Sequence, residues 1–154
     1  MGPITGRFRL TWALREELAI GPGPWADRHL LRLRQEGIRG VLSLCAWEEL
    51  PPPAGLREQF HTRRVVLPDH RSGRWPRPEE LEQALAALAD LAELGPVFVH
   101  CVAARERSPL VCLAWLMRHR GLSLQQGLDY LLQVHPGTSP LPQQLRALTG
   151  LFEA

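Results

Sequence analysis

A chain of 154 residues with 18 basic and 16 acidic side chains, a formal net charge of +2 and 45% hydrophobic residues has the apolar content of one folded unit burying roughly 70% of its unfolded surface, and too much for a disordered segment. All the basic residues are arginines, spread along the chain rather than gathered into one stripe, which argues against a nucleic-acid binder. Cys45, Cys101 and Cys112 form neither a disulfide framework nor a zinc-ligand spacing, no apolar run approaches the roughly 20 residues of a membrane span, no charged-then-apolar leader opens the chain, and Met1-Gly2 followed by Gly6 fails the myristoylation pattern.

Phe8, Leu10, Trp12 and Leu14 alternate with Arg7, Arg9, Thr11 and Ala13, the period-two signature of a strand with one wet face. Pro22-Gly23-Pro24 breaks it. Asp27, placed to cap a helix, opens a short helical segment to Glu36 that ends at Gly37, and Ile38 to Cys45 reads as a buried strand. A loop at Pro51-Pro52-Pro53 precedes a further strand expected at Val65–Leu67. Pro78-Glu79-Glu80 opens a helix with Leu81, Leu85, Leu88 and Ala92 on one face, closing at Gly95-Pro96. Val97 to His100 is a short buried strand, and Ser108-Pro109 reads as the entrance of a helix that Gly121 stops. Ser123-x-x-Gln126 is a capping box for a helix with Leu124, Leu128, Leu131 and Leu132, and a last helix follows Ser139-Pro140 with Leu141, Leu145, Leu148 and Phe152. With no repeat or linker, residues 1–154 are expected to form one α/β domain: a central, mostly parallel sheet flanked by helices.

Between the strand ending at His100 and the helix after Ser108 lies a tight loop, Cys101-Val102-Ala103-Ala104-Arg105-Glu106-Arg107. Its N–H groups, with the unpaired donors and positive dipole end of the following helix, would converge on a negative group held there, and a tetrahedral oxyanion is the natural guest. An ordinary thiol is only about 3% ionised at pH 7, so a cysteine at the base of such a cup needs those donors to become a nucleophile. Arg107 can offer a planar fork to two phosphoryl oxygens.

His100-Cys101-x5-Arg107-Ser108 resembles the signature loop of the cysteine-dependent protein tyrosine phosphatases, and the short chain with its Pro68-Asp69 loop is most similar to the compact dual-specificity branch. The similarity spans about Phe8 to Phe152. It implies a protein tyrosine phosphatase-like fold of the compact dual-specificity type, with the loop at the carboxyl end of a strand. It also implies Cys101 as the nucleophile of a phosphocysteine intermediate, Arg107 as the phosphoryl-binding residue in ground and transition states, Ser108 as a hydrogen-bond partner of the sulfur, and His100 as the organiser of the loop from beneath. Residues 102–107 would hold the phosphate; no metal or cofactor is implied. A departure stands at Ala104, where the family usually has glycine: if the position needs a positive φ, the Cβ costs on the order of 1 kcal/mol. Glu106 opposes an anion unless it points outward or pairs with Arg105.

Displacement at phosphorus also needs a proton for the leaving oxygen. The chain has four aspartates, Asp27, Asp69, Asp90 and Asp129; the first sits at a helix start and the last two inside helical patterns. Asp69 is left as the general acid, later the base that activates water, and its spacing of 101 − 69 = 32 residues from the cysteine is similar to the dual-specificity enzymes. His70, Arg71, Arg74 and Arg77 form either a positive rim that steers acidic substrates or a solvated loop. Cys112 belongs to the core side of its helix. Cys45 reads as a buried strand-end cysteine, with a reversible disulfide to Cys101 as the alternative.

The expected activity is therefore phosphomonoester hydrolysis on a phosphorylated protein, lipid or small molecule, without nucleic acid or membrane insertion, in the reducing cytoplasm. A phosphate-binding module with decayed hydrolysis, suggested by Ala104 and Glu106, and a sulfur-transferase or arsenate-reductase-like thiol enzyme are the alternatives. The residues leave substrate identity and oligomeric state open.

Overall fold

A computed structural model describes residues 7–153; the Met1-to-Gly6 pattern read above lies outside the described residues. Five strands form one sheet in the order β1-β2-β5-β3-β4: β1 Thr11–Leu14, β2 Leu18–Pro22, β3 Gly40–Ser43, β4 His61–Arg64 and β5 Val97–Cys101. Only β1 and β2 pair antiparallel; β2, β5, β3 and β4 run parallel. The helices are α1 Asp27–Gln35, a short α2 Leu56–Gln59, α3 Pro78–Ala92, α4 Arg107–Arg120, α5 Leu124–Val134 and α6 Pro142–Glu153, with 3-10 turns at Trp47–Glu49 and His70–Ser72.

Side-chain alternation along the parallel strands builds two cores. Leu18 and Ile20 of β2, Leu42 of β3, and Val97 and Val99 of β5 face the helices α3 and α4, where they bury against Leu88, Leu110 and Leu113. The opposite parity, Ala19, Val41 and Phe98, packs against Leu30, Leu33 and Leu56 of α1 and α2. Each large aliphatic or aromatic side chain taken fully out of water is worth about 1.5–3 kcal/mol, so both layers hold β5 in the middle of the sheet. The same parity rule sends Cys101 to the α4 side, among that core, and His100 to the other.

The expected architecture is present, with five differences in detail. The opening strand is shorter than Phe8–Leu14 and folds back through Arg15-Glu16-Glu17 into β2, with Glu16 at φ 59° and the Glu17 N–H donating to the Leu14 carbonyl at 3.0 Å. Leu18-Ala19-Ile20-Gly21-Pro22 shows no alternation in sequence because both faces of this interior strand are buried. The edge strand β4 lies at His61–Arg64 rather than Val65–Leu67; its charged, half-exposed residues are those an edge carries to discourage further pairing, while Val65 and Leu67 still donate to the carbonyls of Ser43 and Leu44, each at 3.0 Å. Asp27 is the first residue of α1, not its cap: the backbone N–H groups of Trp25 and Ala26 donate to His29 Nδ1 at 3.1 and 3.2 Å.

The fifth difference matters most. Helix α4 begins at Arg107, so Pro109 is its third residue rather than its first. Proline is still tolerated there, since the N–H of the first turn has no intrahelical partner to lose. The capping box on α5 forms as expected, Ser123 Oγ accepting from Gln126 N at 3.1 Å and Gln126 Oε1 from Ser123 N at 2.9 Å. No helix among the described residues is long and apolar enough to cross a membrane.

Beyond β2, the Gly23 N–H donates to the Val102 carbonyl at 3.2 Å. A Cβ at Gly23 would lie 2.2 Å from a Leu50 methyl and 3.0 Å from both the Cys101 carbonyl oxygen and His100 Nδ1. Gly23→Ala is therefore expected to destabilise the fold by about 1–3 kcal/mol, read as a lower denaturant midpoint at unchanged slope.

Candidate active site

The parallel ladders place Pro22 opposite Cys101, and Gly21 and Ser43 opposite His100, so the chain leaves β5 at the carboxyl edge of the sheet and turns through residues 102–106 into α4. Carboxyl edges of parallel strands, facing helix N-termini, are where open α/β sheets hold anions. The first turn of α4 contains no acidic residue, so its dipole is not offset there.

His100 lies beneath the turn, wholly enclosed. Its Nδ1 meets the Cys101 carbonyl at 2.9 Å and its Nε2 meets Ser43 Oγ at 2.7 Å. A carbonyl oxygen can only accept, so Nδ1 carries the proton and Nε2 accepts from the serine hydroxyl. Burial drives the imidazole pKa down to about 4, so it is neutral around pH 7 and acts as a fixed strut. Cys101 Sγ sits 3.3 Å from Ser108 Oγ, both groups buried, the contact the resemblance implies between sulfur and hydroxyl.

Arg107 is only 6% exposed, and a guanidinium so enclosed needs a carboxylate. Glu49 supplies it: Nη2 and Nη1 donate to Glu49 Oε1 and Oε2 at 2.9 and 3.1 Å, and Nη1 also reaches the Leu67 carbonyl at 3.3 Å. Burial pushes the Glu49 carboxyl up, but the hydrogen bonds and charge of Arg107 outweigh it and hold the group below its ordinary range. Sequence reasoning missed Glu49. The available signal was positional: Trp47-Glu48-Glu49 follows β3 at the same sheet edge as Cys101.

Ala104 has φ 59°, the left-handed conformation that explains why glycine is the usual occupant. Its carbonyl accepts from His135 Nε2 at 2.6 Å, the Arg105 carbonyl from the Ser139 N–H at 2.7 Å, and Glu106 Oε1 from Gln144 Nε2 at 3.1 Å. Three successive loop residues are thus clasped by the connection between α5 and α6 and the first turn of α6. Arg105 is exposed, and Glu106 pairs with His70 and Gln144 rather than with Arg105.

Asp69 lies on the loop after Leu67, the residue whose carbonyl holds Arg107. Its Oδ2 accepts from Arg71 Nε at 2.9 Å and its Oδ1 is 3.0 Å from His70 Nδ1. Burial raises its pKa, but the Arg71 hydrogen bond and the charges of Arg71 and Arg107 together bring it below the usual carboxylate range. Asp90 and Asp129 lie on helices, engaged with Arg63 and Gln125. The arginines read as a positive rim are largely spoken for: Arg71 by Asp69 and Arg74 by Glu80. An open groove runs past Glu49, Leu67, Asp69 and Arg71, with the exposed Val66 in its lining.

Asp69, His70 and Glu106 are the one group of His, Cys, Asp or Glu donors close enough to share a cation among the described residues, with ligand atoms within 4.8 Å; within it His70 Nδ1 hydrogen-bonds Glu106 Oε1 at 3.1 Å. All three cysteines are free and buried. Burial, with the neighbouring Cys101 adding to it, pushes the Cys45 thiol up to about 11, and burial raises Cys112 further still.

A strand, a thiol-bearing turn closed by arginine and a helix N-terminus at a parallel sheet edge define the cysteine-dependent phosphatase class. Residues 57–153 match the family model "Dual specificity phosphatase, catalytic domain", and the chain belongs to that family. It is 25% identical over 94% of its length to phosphatidylglycerophosphate phosphatase PTPMT2 of Arabidopsis thaliana, spanning 64% of that protein. Dual specificity phosphatase 28 of Homo sapiens is 41% identical over 40% of this chain and 36% of its own length. The crystal structure of Tk-PTP in its active form superposes with a TM-score of 0.80 at 26% identity, covering 94% of this chain and 96% of that one. The chain thus spans less than two thirds of the full length of these curated relatives.

Two variants follow from this geometry. Glu49→Gln loses a carboxylate stabilised by folding, a contribution fully present above its ordinary value of 4.5 and lost as pH falls through the lower folded value. The stability gap between wild type and Glu49→Gln, from chemical denaturation, is therefore expected to close as pH falls below 4.5. Ala104→Gly relieves a left-handed Cβ and is expected to leave the fold intact and aryl phosphatase turnover no lower than wild type; a large loss of turnover would show that the Cβ is needed.

Proposed function

We propose that this chain is one phosphatase domain, residues 1–154, that hydrolyses phosphomonoesters through a phosphocysteine intermediate. The observation that carries the reading is the assembly of Cys101, Ser108, a carboxylate-fixed Arg107 and Asp69 around one turn at the sheet edge. The amides of Val102, Ala103, Ala104, Arg105, Glu106 and Arg107 cradle the phosphoryl oxygens, and Arg107 turns its fork to two of them. Cys101 thiolate attacks phosphorus in line with the leaving oxygen; the P–O bond breaks as the P–S bond forms, and Asp69 delivers its proton to the departing oxygen. In the second half-reaction Asp69 carboxylate takes a proton from water, the hydroxide attacks phosphorus, and the sulfur leaves as thiolate, eased by the Ser108 hydroxyl.

The lowered pKa of Asp69 fits this cycle. A phosphate dianion beside Arg107 offsets one of the charges that hold the carboxyl down, so substrate binding shifts Asp69 toward the protonated form that the first step consumes. Asp69 beside the arginine also favours hydrolysis over sulfur transfer, which needs no acid there, and the retention of all four groups argues against a decayed phosphate-binding module. The chemistry calls on no metal or cofactor, and the cytoplasm, a reducing compartment, suits three reduced cysteines.

A phosphorylated protein is the substrate class that the dual-specificity branch implies. A phospholipid headgroup is the second reading, favoured by the similarity to a phosphatidylglycerophosphate phosphatase over 94% of the chain and by Val66, exposed at 47% in the groove lining, where an apolar side chain meets an acyl surface readily.

Hydrolysis of 4-nitrophenyl phosphate tests the core of the proposal. Cys101→Ser is expected to abolish turnover and vanadate to compete with substrate, whereas turnover by the serine variant would discard the covalent route. Asp69→Asn is expected to lose about 10²–10⁴-fold and to flatten the fall of kcat/KM from acidic to neutral pH; a profile identical to wild type removes Asp69 from the mechanism. Comparing a phosphotyrosine peptide with phosphatidylglycerophosphate in mixed micelles separates the two substrate classes.

A further inference from the structure

The loop carrying Asp69 and the loop carrying Cys101 come from different parts of the chain, 32 residues apart (101 − 69), and a general acid works only at a fixed distance from the reacting oxygen. One side chain spans them. His70 Nδ1 lies 3.0 Å from Asp69 Oδ1 and 2.9 Å from Glu106 Oε2. The hydrogen bond runs to Glu106 Oε1 at 3.1 Å; a carboxylate oxygen only accepts, so Nδ1 carries the proton toward Glu106, with the Asp69 carboxylate beside it at ion-pair distance. The same Oε1 of Glu106 also accepts from Gln144 Nε2 at 3.1 Å, and Glu106 is the residue from which α4 starts, next to Arg107. Asp69 Oδ2 is engaged by Arg71 of its own loop, so of its two oxygens only Oδ1 is tied toward the phosphate loop.

This arrangement accounts for a carboxylate where an anion site would seem to exclude one. Glu106 turns away from the cup toward His70 and α6. Without the imidazole proton between them, the two carboxylates would repel and drive the loops apart.

We propose that Glu106 is a positioning residue that acts through His70 to hold Asp69 over the scissile oxygen, latching the acid loop to the phosphate loop. The proposal rests on Asp69 being the general acid. Its mark is sensitivity to the leaving group: a poor leaving phenol depends on the acid, and a good one depends on it far less.

The test measures kcat/KM on phenyl phosphate and 4-nitrophenyl phosphate for wild type, Glu106→Ala, His70→Ala, the double variant and Asp69→Asn. The ratio of the first substrate's kcat/KM to the second's is expected to fall about tenfold in each single latch variant and no further in the double variant, with Asp69→Asn falling more, within the range an acid supplies. A purely structural role for Glu106 would lower both substrates equally or raise both KM values and leave the ratio unmoved, which would overturn the latch. An unmoved ratio in His70→Ala does the same, and that variant tests the latch at a 43% exposed side chain whose removal leaves the core untouched. If Asp69→Asn moves the ratio while Glu106→Ala does not, the latch alone is wrong. If Asp69→Asn leaves the ratio unmoved, the general-acid assignment falls and the latch falls with it.

Discussion

A guanidinium taken almost entirely out of water sets the terms for the rest of this site. Left unpaired at 6% exposure, the charge of Arg107 would be prohibitive; the bidentate contact to Glu49 and the Leu67 carbonyl make its burial tolerable. That solution draws three segments together. The turn after β3 supplies Glu49, the stretch after β4 supplies Leu67, and the N-terminus of α4 carries the arginine. Because the segment after Leu67 continues into Asp69, anchoring the arginine also delivers a carboxyl group to the neighbourhood of the thiol. The donors that Glu49 and Leu67 do not occupy, with the loop amides, are what an incoming anion would meet.

The central strand does the corresponding work for the sulfur. With β2 on one side and β3 on the other, β5 has both backbone edges paired and both faces packed, so the position at which it ends is rigid. Cys101 and His100 diverge to opposite faces by the parity of the strand, the thiol toward Ser108 and α4, the imidazole toward Ser43. A neutral histidine bridging two strands beneath the turn brings orientation without adding charge to a site already rich in it.

Local chemistry was legible in the sequence where it is local in the structure. The loop from His100 to Ser108, the capping box at Ser123 and the helix opened by Pro78 are contiguous signals, and each stands where its residues indicate. Asp69 emerged by elimination among few aspartates. Glu49, His135 and Gln144 did not emerge, because each acts across 58, 31 or 38 positions and carries no spacing that marks it. The hairpin strand β2 was hidden for the opposite reason: burial on both faces erases the alternation by which a strand is read, and Gly21-Pro22 imitates a break. The left-handed turn at Ala104 was visible only as a missing glycine; what makes it tolerable, a clasp from the chain downstream, is a tertiary fact.

That clasp ties the timing of the loop to the far end of the molecule. The carbonyl of Arg105, which precedes the helix, waits for Ser139, and the neighbouring carbonyl of Ala104 waits for His135. A ribosome releasing this chain would expose the thiol-bearing segment well before either partner has left the exit tunnel. The cup therefore takes its final shape only after the α5–α6 connection has been synthesised and docked, so the newborn protein has no finished anion site until most of its length is free to fold.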